Sequence, residues 1–188
     1  MKPVHIFSTL LALALAAPVA ALAQDQLPTP SPIEKSLADR AEHTTEVTLD
    51  RNMLAFAAKF MDSKDKDQAA VSDMLKGLQG VYVREYQFAK EHSYTTDDID
   101  GLRKYFEGSD WSPMVKERTK GVATGTDVFV KLVNGQMQGL FVLDAEDKEL
   151  SLVLILGPID IEHLSQLGGN FGIPKDAVKK AAIGQRQP

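Results

Sequence analysis

Imidazoles, paired carboxylates, serine hydroxyls and a glycine-rich turn are the groups of this chain that could do chemistry. Three histidines, His43, His92 and His163, follow the N-terminal apolar run, and none lies three to five residues from another. The spaced pair that a zinc site needs is therefore missing. Glu162 and His163 are neighbours, but successive helical residues point about 100° apart, so the two do not share one ion easily. The acidic run Asp62–Asp67 carries lysines where a calcium loop needs oxygen ligands, and it lacks the central glycine and terminal glutamate. Gly121-Val-Ala-Thr-Gly125-Thr lacks the Lys-Ser/Thr ending of a phosphate loop and precedes a strand, not a helix. No Gly-x-Ser-x-Gly occurs, and Ser109 and Ser151 have no evident base. Asp97-Asp98 and Asp160/Glu162 fall at expected helix starts, where capping explains them better than acid–base work.

Aromatic placement leaves more room for function. The segment from Val81 to Phe88 is rich in β-branched and aromatic residues and reads as a strand. Side chains alternate across a strand, so Tyr82, Arg84, Tyr86 and Phe88 share the side opposite Val81 and Val83. Left open, that side is a recognition patch of the residue types that interfaces favour. Covered by helices, it is core. Tyr82, Arg84, Tyr86 and Phe88 are the expected binding residues. No catalytic residue, metal ligand or cofactor is expected.

The elements that position them follow from pattern. Val47–Leu49 is a brief β segment. Asp50 caps a helix in which Met53, Phe56, Ala57, Phe60 and Met61 fall at helical spacing. A second helix places Val71, Met74, Leu75 and Leu78 on one face and ends near Gly77 or Gly80. The two should form a hairpin whose apolar faces turn to one core. Thr95 and Asp98 have capping-box spacing, and Ile99, Leu102 and Phe106 make the stripe of the helix that follows. Four strand passes come next: 111–119, 126–133, 137–143 and 149–156. Asn134-Gly135 tolerates positive φ at both corners of a type I′ turn. Leu150–Leu156 is apolar on both faces, which puts that strand at the centre of a sheet with both sides at least partly covered. Asp160 should cap a last helix with Ile161, Leu164 and Leu167. The order is α+β: an antiparallel β-meander with helices packed mainly on one face.

Around this body the ends differ in composition. Residues 1–23 read as a secretory signal peptide, with a basic start, an apolar run from Ile6 to Ala17 and an Ala21-Leu22-Ala23 cleavage box. The apolar run is shorter than the roughly 20 residues of a spanning helix, and Pro18 interrupts it. Residues 24–44 read as a Pro-rich linker, with Pro28, Pro30 and Pro32, followed by a weak helix from Ile33 to Ala41. Residues 45–170 are one domain, and 171–188 are a polar tail. The 188 residues hold 44% hydrophobic residues, a net charge of −5 and no cysteine. Packing alone must hold the domain, and neither a disulfide nor a cysteine nucleophile is available. The basic residues are scattered, which argues against nucleic-acid binding. No stable membrane span remains once the leader is cleaved.

Across roughly residues 45–170 the chain resembles DUF4252, an exported bacterial domain. The resemblance rests on Met74-Leu75-Lys76-Gly77-Leu78-Gln79-Gly80 running into Val81-Tyr82-Val83. It rests also on Leu154-Ile155-Leu156-Gly157-Pro158-Ile159-Asp160-Ile161-Glu162-His163-Leu164, where the family pattern is a hydrophobic strand, Gly-x-Ile-Asp-Leu and a short helix. Ile161 stands here for the leucine. The resemblance implies export, an α+β domain and a context near sigma-factor and anti-sigma-factor genes, hence envelope sensing. The expected function is a non-catalytic envelope or secreted module that binds another envelope protein or self-associates, in the periplasm or beyond it. The alternatives are an envelope hydrolase using acidic groups and a carrier of a small apolar ligand. A carrier requires an apolar cavity of at least a few hundred Å³.

Overall fold

Apolar residues on both faces of two long strands decide this architecture. The computed structural model describes residues 28–61, 64–107 and 110–159. The expected leader, the helix after Asp160 with Glu162 and His163, the residues Asp62, Ser63, Gly108 and Ser109, and the tail lie outside them. Six strands form one antiparallel sheet: β1 (His43–Asp50), β2 (Gly80–Gln87), β3 (Trp111–Lys116), β4 (Gly125–Val133), β5 (Gln136–Glu146) and β6 (Glu149–Leu156). Their order across the sheet is β1-β2-β6-β5-β4-β3. β3 to β6 are the expected meander. β6 closes it against β2 in the register Val83↔Val153, which seats β6 centrally. The α+β class with its antiparallel sheet stands as read from sequence.

Helices cover both faces, not mainly one. α2 (Arg51–Ala57), a 3₁₀ turn (Ala58–Phe60) and α3 (Lys66–Gly77) lie on the first. There Leu54, Ala58, Leu75 and Leu78 pack with Val81, Val83, Val142, Val153 and Ile155. α1 (Pro32–Arg40) and α4 (Thr96–Arg103) lie on the second. There Leu37, Ile99 and Leu102 pack with Tyr82, Tyr86, Phe141, Leu152 and Leu154. The reason is in the strands. Leu150, Leu152, Leu154 and Leu156 alternate with Val153 and Ile155, so each face must leave water.

Local chemistry fixes the helix starts. Asp50 accepts from Met53 N at 2.8 Å and begins α2 directly at the end of β1. Thr95 and Asp98 form the expected capping box of α4. The segment read as a weak helix is a full one, because Ser31 and Glu34 form a second capping box at the start of α1. Asn134 and Gly135 both have positive φ, 53° and 77°, and join β4 to β5 through two residues.

The apolar stripe of α2 corrects the sequence reading. Met53, Phe56 and Phe60 were expected to face the core, yet Leu54 and Ala58 do so. Two stripes compete on this helix. The smaller one wins because Ala58 lets α3 come close, with Ser72 Oγ donating to Ala58 O at 3.2 Å. The 3₁₀ turn then changes the helical phase and leaves Phe60 outside.

Candidate functional site

The four residues read as a binding patch are assembled by β2 and then covered. Tyr82, Arg84, Tyr86 and Phe88 are all buried, Tyr82 to 3% and Arg84 to 4% exposure. They do not form an open recognition surface; α1 and α4 lie over them. Tyr82 Oη donates to Glu34 Oε1 at 2.5 Å, and Ser31 N donates to Glu34 Oε2 at 2.8 Å. The guanidinium of Arg84 sits 3.8 Å from the centroid of the Tyr82 ring. Its Nη1 donates to the carbonyls of Val47 and Val83, and Nη2 donates to Thr48 Oγ1. Its Nε makes no hydrogen bond, with Glu46 Oε2 standing 3.7 Å away. Burial, then the bond to Glu34, pushes the Tyr82 phenol well above its ordinary value. Burial does the same to Tyr86. These phenols are locked neutral, as packing and hydrogen bonding demand, and neither is primed as a base.

Glu34 is the member of this cluster that sequence reasoning missed. Its signal was the Ser31-Pro-Ile-Glu34 spacing, which is a capping box immediately before Leu37. Arg40, at the other end of α1, pairs with Asp98 at 3.0 Å and donates to Ser93 O at 2.9 Å. α1 is therefore clasped at both ends. Beneath it remains a cavity of about 70 Å³, lined by Pro28, Glu34, Tyr82, Phe106, Phe141 and Leu154 among others. That is far below the few hundred Å³ a ligand carrier requires.

A second polar assembly ties α4 to the sheet. Asp127, almost wholly buried, accepts from Arg103 Nε at 2.6 Å and from Arg118 Nη2 at 2.5 Å. Arg103 also bonds Asp100. With two guanidinium groups on one carboxylate, the network is saturated and structural.

A shallow cleft of about 840 Å³ opens where β1 begins and β2 ends, beside the turn between β5 and β6. Glu42, His43, Glu91, Glu146, Asp147 and Glu149 rim it. Partial burial, then repulsion from Glu85 and Glu146, raises the Glu149 carboxyl above its usual range. Ser151 Oγ donates to Glu149 Oε1 at 3.4 Å. Among the described residues, no group of three or more His, Asp or Glu side chains comes together as a metal site.

The other surface of note is apolar. Met53, Phe56 and Phe60 are 50%, 59% and 71% exposed on the outer side of α2 and its 3₁₀ turn. Phe56 and Phe60 meet edge to face with centroids 5.0 Å apart. Asp50 and Leu54 hold the elements beneath them in place, so this is an ordered platform. Among the described residues no helix is long and apolar enough to cross a membrane.

A family model described as a domain of unknown function, DUF4252, matches residues 39–167. The match begins at the C-terminal end of α1 and takes in the whole sheet. No curated protein and no solved structure matches the chain.

Proposed function

The chain belongs to the DUF4252 family, and we propose that it is an exported, non-catalytic binding module that works through the outer face of α2. One observation carries this reading: Met53, Phe56 and Phe60 stand exposed together on a capped, packed helix. A large apolar side chain left in water gains nothing for the fold, and three adjacent ones mark a surface awaiting a partner. The leader-like residues 1–23 favour a partner in the cell envelope or beyond it. The tyrosine side of β2 is packed by the protein itself, so binding falls to the opposite face of the sheet, where α2 lies.

The hydrolase alternative rests on the acid-rimmed cleft. Partial burial, together with repulsion among its carboxylates, accounts for the raised Glu149 without any catalytic role. The carrier alternative needs more room than the roughly 70 Å³ that lies beneath α1.

Fractionation of producing cells tests the proposal. The exported chain is expected with the envelope fraction, and the Phe56→Ser/Phe60→Ser variant in the soluble fraction with an unchanged melting curve. Envelope association that ignores the double substitution would contradict it.

A further inference from the structure

The two edges of the sheet are built differently. β3 forms one, and it is blunted: Pro113 offers no N–H, and the pairing with β4 shifts register between Pro113 and Val115. β1 forms the other. Its 8 residues pair with β2 without a shift, and they include no proline and no lysine. Thr44, Thr45, Glu46 and Thr48 are exposed, and among the described residues no strand lies beyond them. Such an edge is a template for a further strand.

Backbone direction limits how this edge can pair. Phe88 N donates to Lys148 O, so the backbone there turns toward β6. Directions alternate along a strand, so Val83 turns toward β1, and Val47, its partner in register, bonds inward. The outward groups are therefore those of Thr44, Glu46 and Thr48. A second copy laid antiparallel about a two-fold axis must match outward residues to outward residues. Two such registers overlap β1 most, one centred on Glu46 and one on Val47. The first sets two carboxylates face to face, which is destabilising. The second sets Glu46 against Thr48, Thr44 against Asp50 and Thr45 against Leu49, with the two Val47 side chains meeting on the axis. It opposes no like charges.

A buried cation favours the same register. Arg84 reaches toward β1, with Nη1 donating to Val47 O and Nη2 to Thr48 Oγ1 at 3.1 Å. Its Nε has no hydrogen-bond partner, and the half-exposed Glu46 of its own chain stands 3.7 Å away. Centred on Val47, the pair brings Glu46 of the second copy opposite Thr48, on the side of the sheet where Arg84 lies. A second carboxylate thereby approaches a guanidinium with a donor to spare. On the other side, Val47 and Leu49 carry the apolar row of the first face across the junction. An unrelated extended peptide would satisfy the backbone alone. A second copy satisfies the backbone, Val47 and Arg84 together.

We infer that β1 is a self-pairing edge, through which two copies join antiparallel about Val47 into one continuous sheet. The contact is a single strand pair, so the dimer is reversible. It is separate from the α2 face proposed above and does not depend on it.

The chain has no cysteine, so one introduced thiol reports the register. Residues opposed at a non-hydrogen-bonded position lie within disulfide reach. In the full chain, Val47→Cys should oxidise to a covalent dimer and Thr45→Cys should stay monomeric. In sedimentation velocity over a micromolar-to-millimolar series, the parent should shift from monomer to dimer. Glu46→Pro removes an outward N–H that β2 does not use and should lose that shift. Phe56→Ser/Phe60→Ser should keep it. A parent that stays monomeric throughout overturns the inference. So does a dimer whose Val47→Cys variant fails to cross-link, or cross-linking of Thr45→Cys equal to that of Val47→Cys. Should Glu46→Pro fail to fold, the two cysteine variants decide. Loss of the dimer in Phe56→Ser/Phe60→Ser, with Val47→Cys uncross-linked, would move self-association to α2: this inference fails and the binding module stands.

Discussion

Tyr82 stands between a carboxylate and a guanidinium, and that position explains why it is core and not a binding residue. Its hydroxyl donates to Glu34 and its ring face receives Arg84, so neither end is available to a partner. Removing the hydroxyl leaves Glu34 Oε1 buried without its donor. Tyr82→Phe should therefore destabilise the protein by about 1–3 kcal/mol in denaturant titration; a neutral result would show that Glu34 is hydrated there. Glu149 makes a prediction of opposite sign. Its raised carboxyl binds more protons in the folded state than in the unfolded chain between the ordinary glutamate value and the raised one. Stability is therefore lost as pH rises through that window. Glu149→Gln should raise the melting temperature at neutral pH and leave it unchanged at strongly acid pH, and a lower melting temperature at neutral pH would contradict the cause given. Asp98 behaves in the usual carboxylate way. Burial alone would raise it, but the bonds from Thr95 and the Arg40 guanidinium outweigh that and hold it below the ordinary range. Its contribution is lost as pH falls.

At the level of elements, α1 shows how a short helix with few apolar residues becomes indispensable. Leu37 is fully buried on the face that holds Tyr82 and Tyr86. Leu37→Ala should cost about 2–5 kcal/mol, measured by urea unfolding; a loss below that range would mean that α1 is only loosely laid on the sheet. Much of the fold was legible because local signals agree with the tertiary outcome. Asp50, Thr95 and Asn134-Gly135 each act within four residues, so their spacing is enough to locate two helix starts and a hairpin. The doubly apolar Leu150–Leu156 likewise announced a central strand covered on both sides. What could not be read was which of two competing surfaces wins. Tyr82 and Tyr86 are equally consistent with a patch and a core until α1 is placed, and Ser31 with Glu34 was the overlooked sign that it would be. On α2, Leu54/Ala58 and Met53/Phe56/Phe60 are both helical stripes. The choice between them depends on how closely α3 approaches, a long-range quantity that periodicity does not contain.

For the molecule as a whole, these two outcomes exchange inside and outside. The β2 aromatic residues that pattern allowed as an open patch are packed beneath α1 and α4, and the aromatic residues expected in the core stand in solvent on α2. The exposed apolar surface therefore lies on the opposite side of the sheet from the one that sequence pattern first singled out. The saturated network of Arg103, Asp127 and Arg118 and the clasp of Arg40 on Asp98 hold the packed side shut. Hydroxyl-radical footprinting of the full chain, free in solution and bound to envelope membranes, tests this division most directly. Met53, Phe56 and Phe60 should be modified readily when free and protected when bound, with the exposed Leu132 and Val133 of the β4–β5 hairpin equally reactive in both states. Protection that appears at Tyr105 or around the Glu149 cleft, with Met53 and Phe60 as reactive as before, would contradict it.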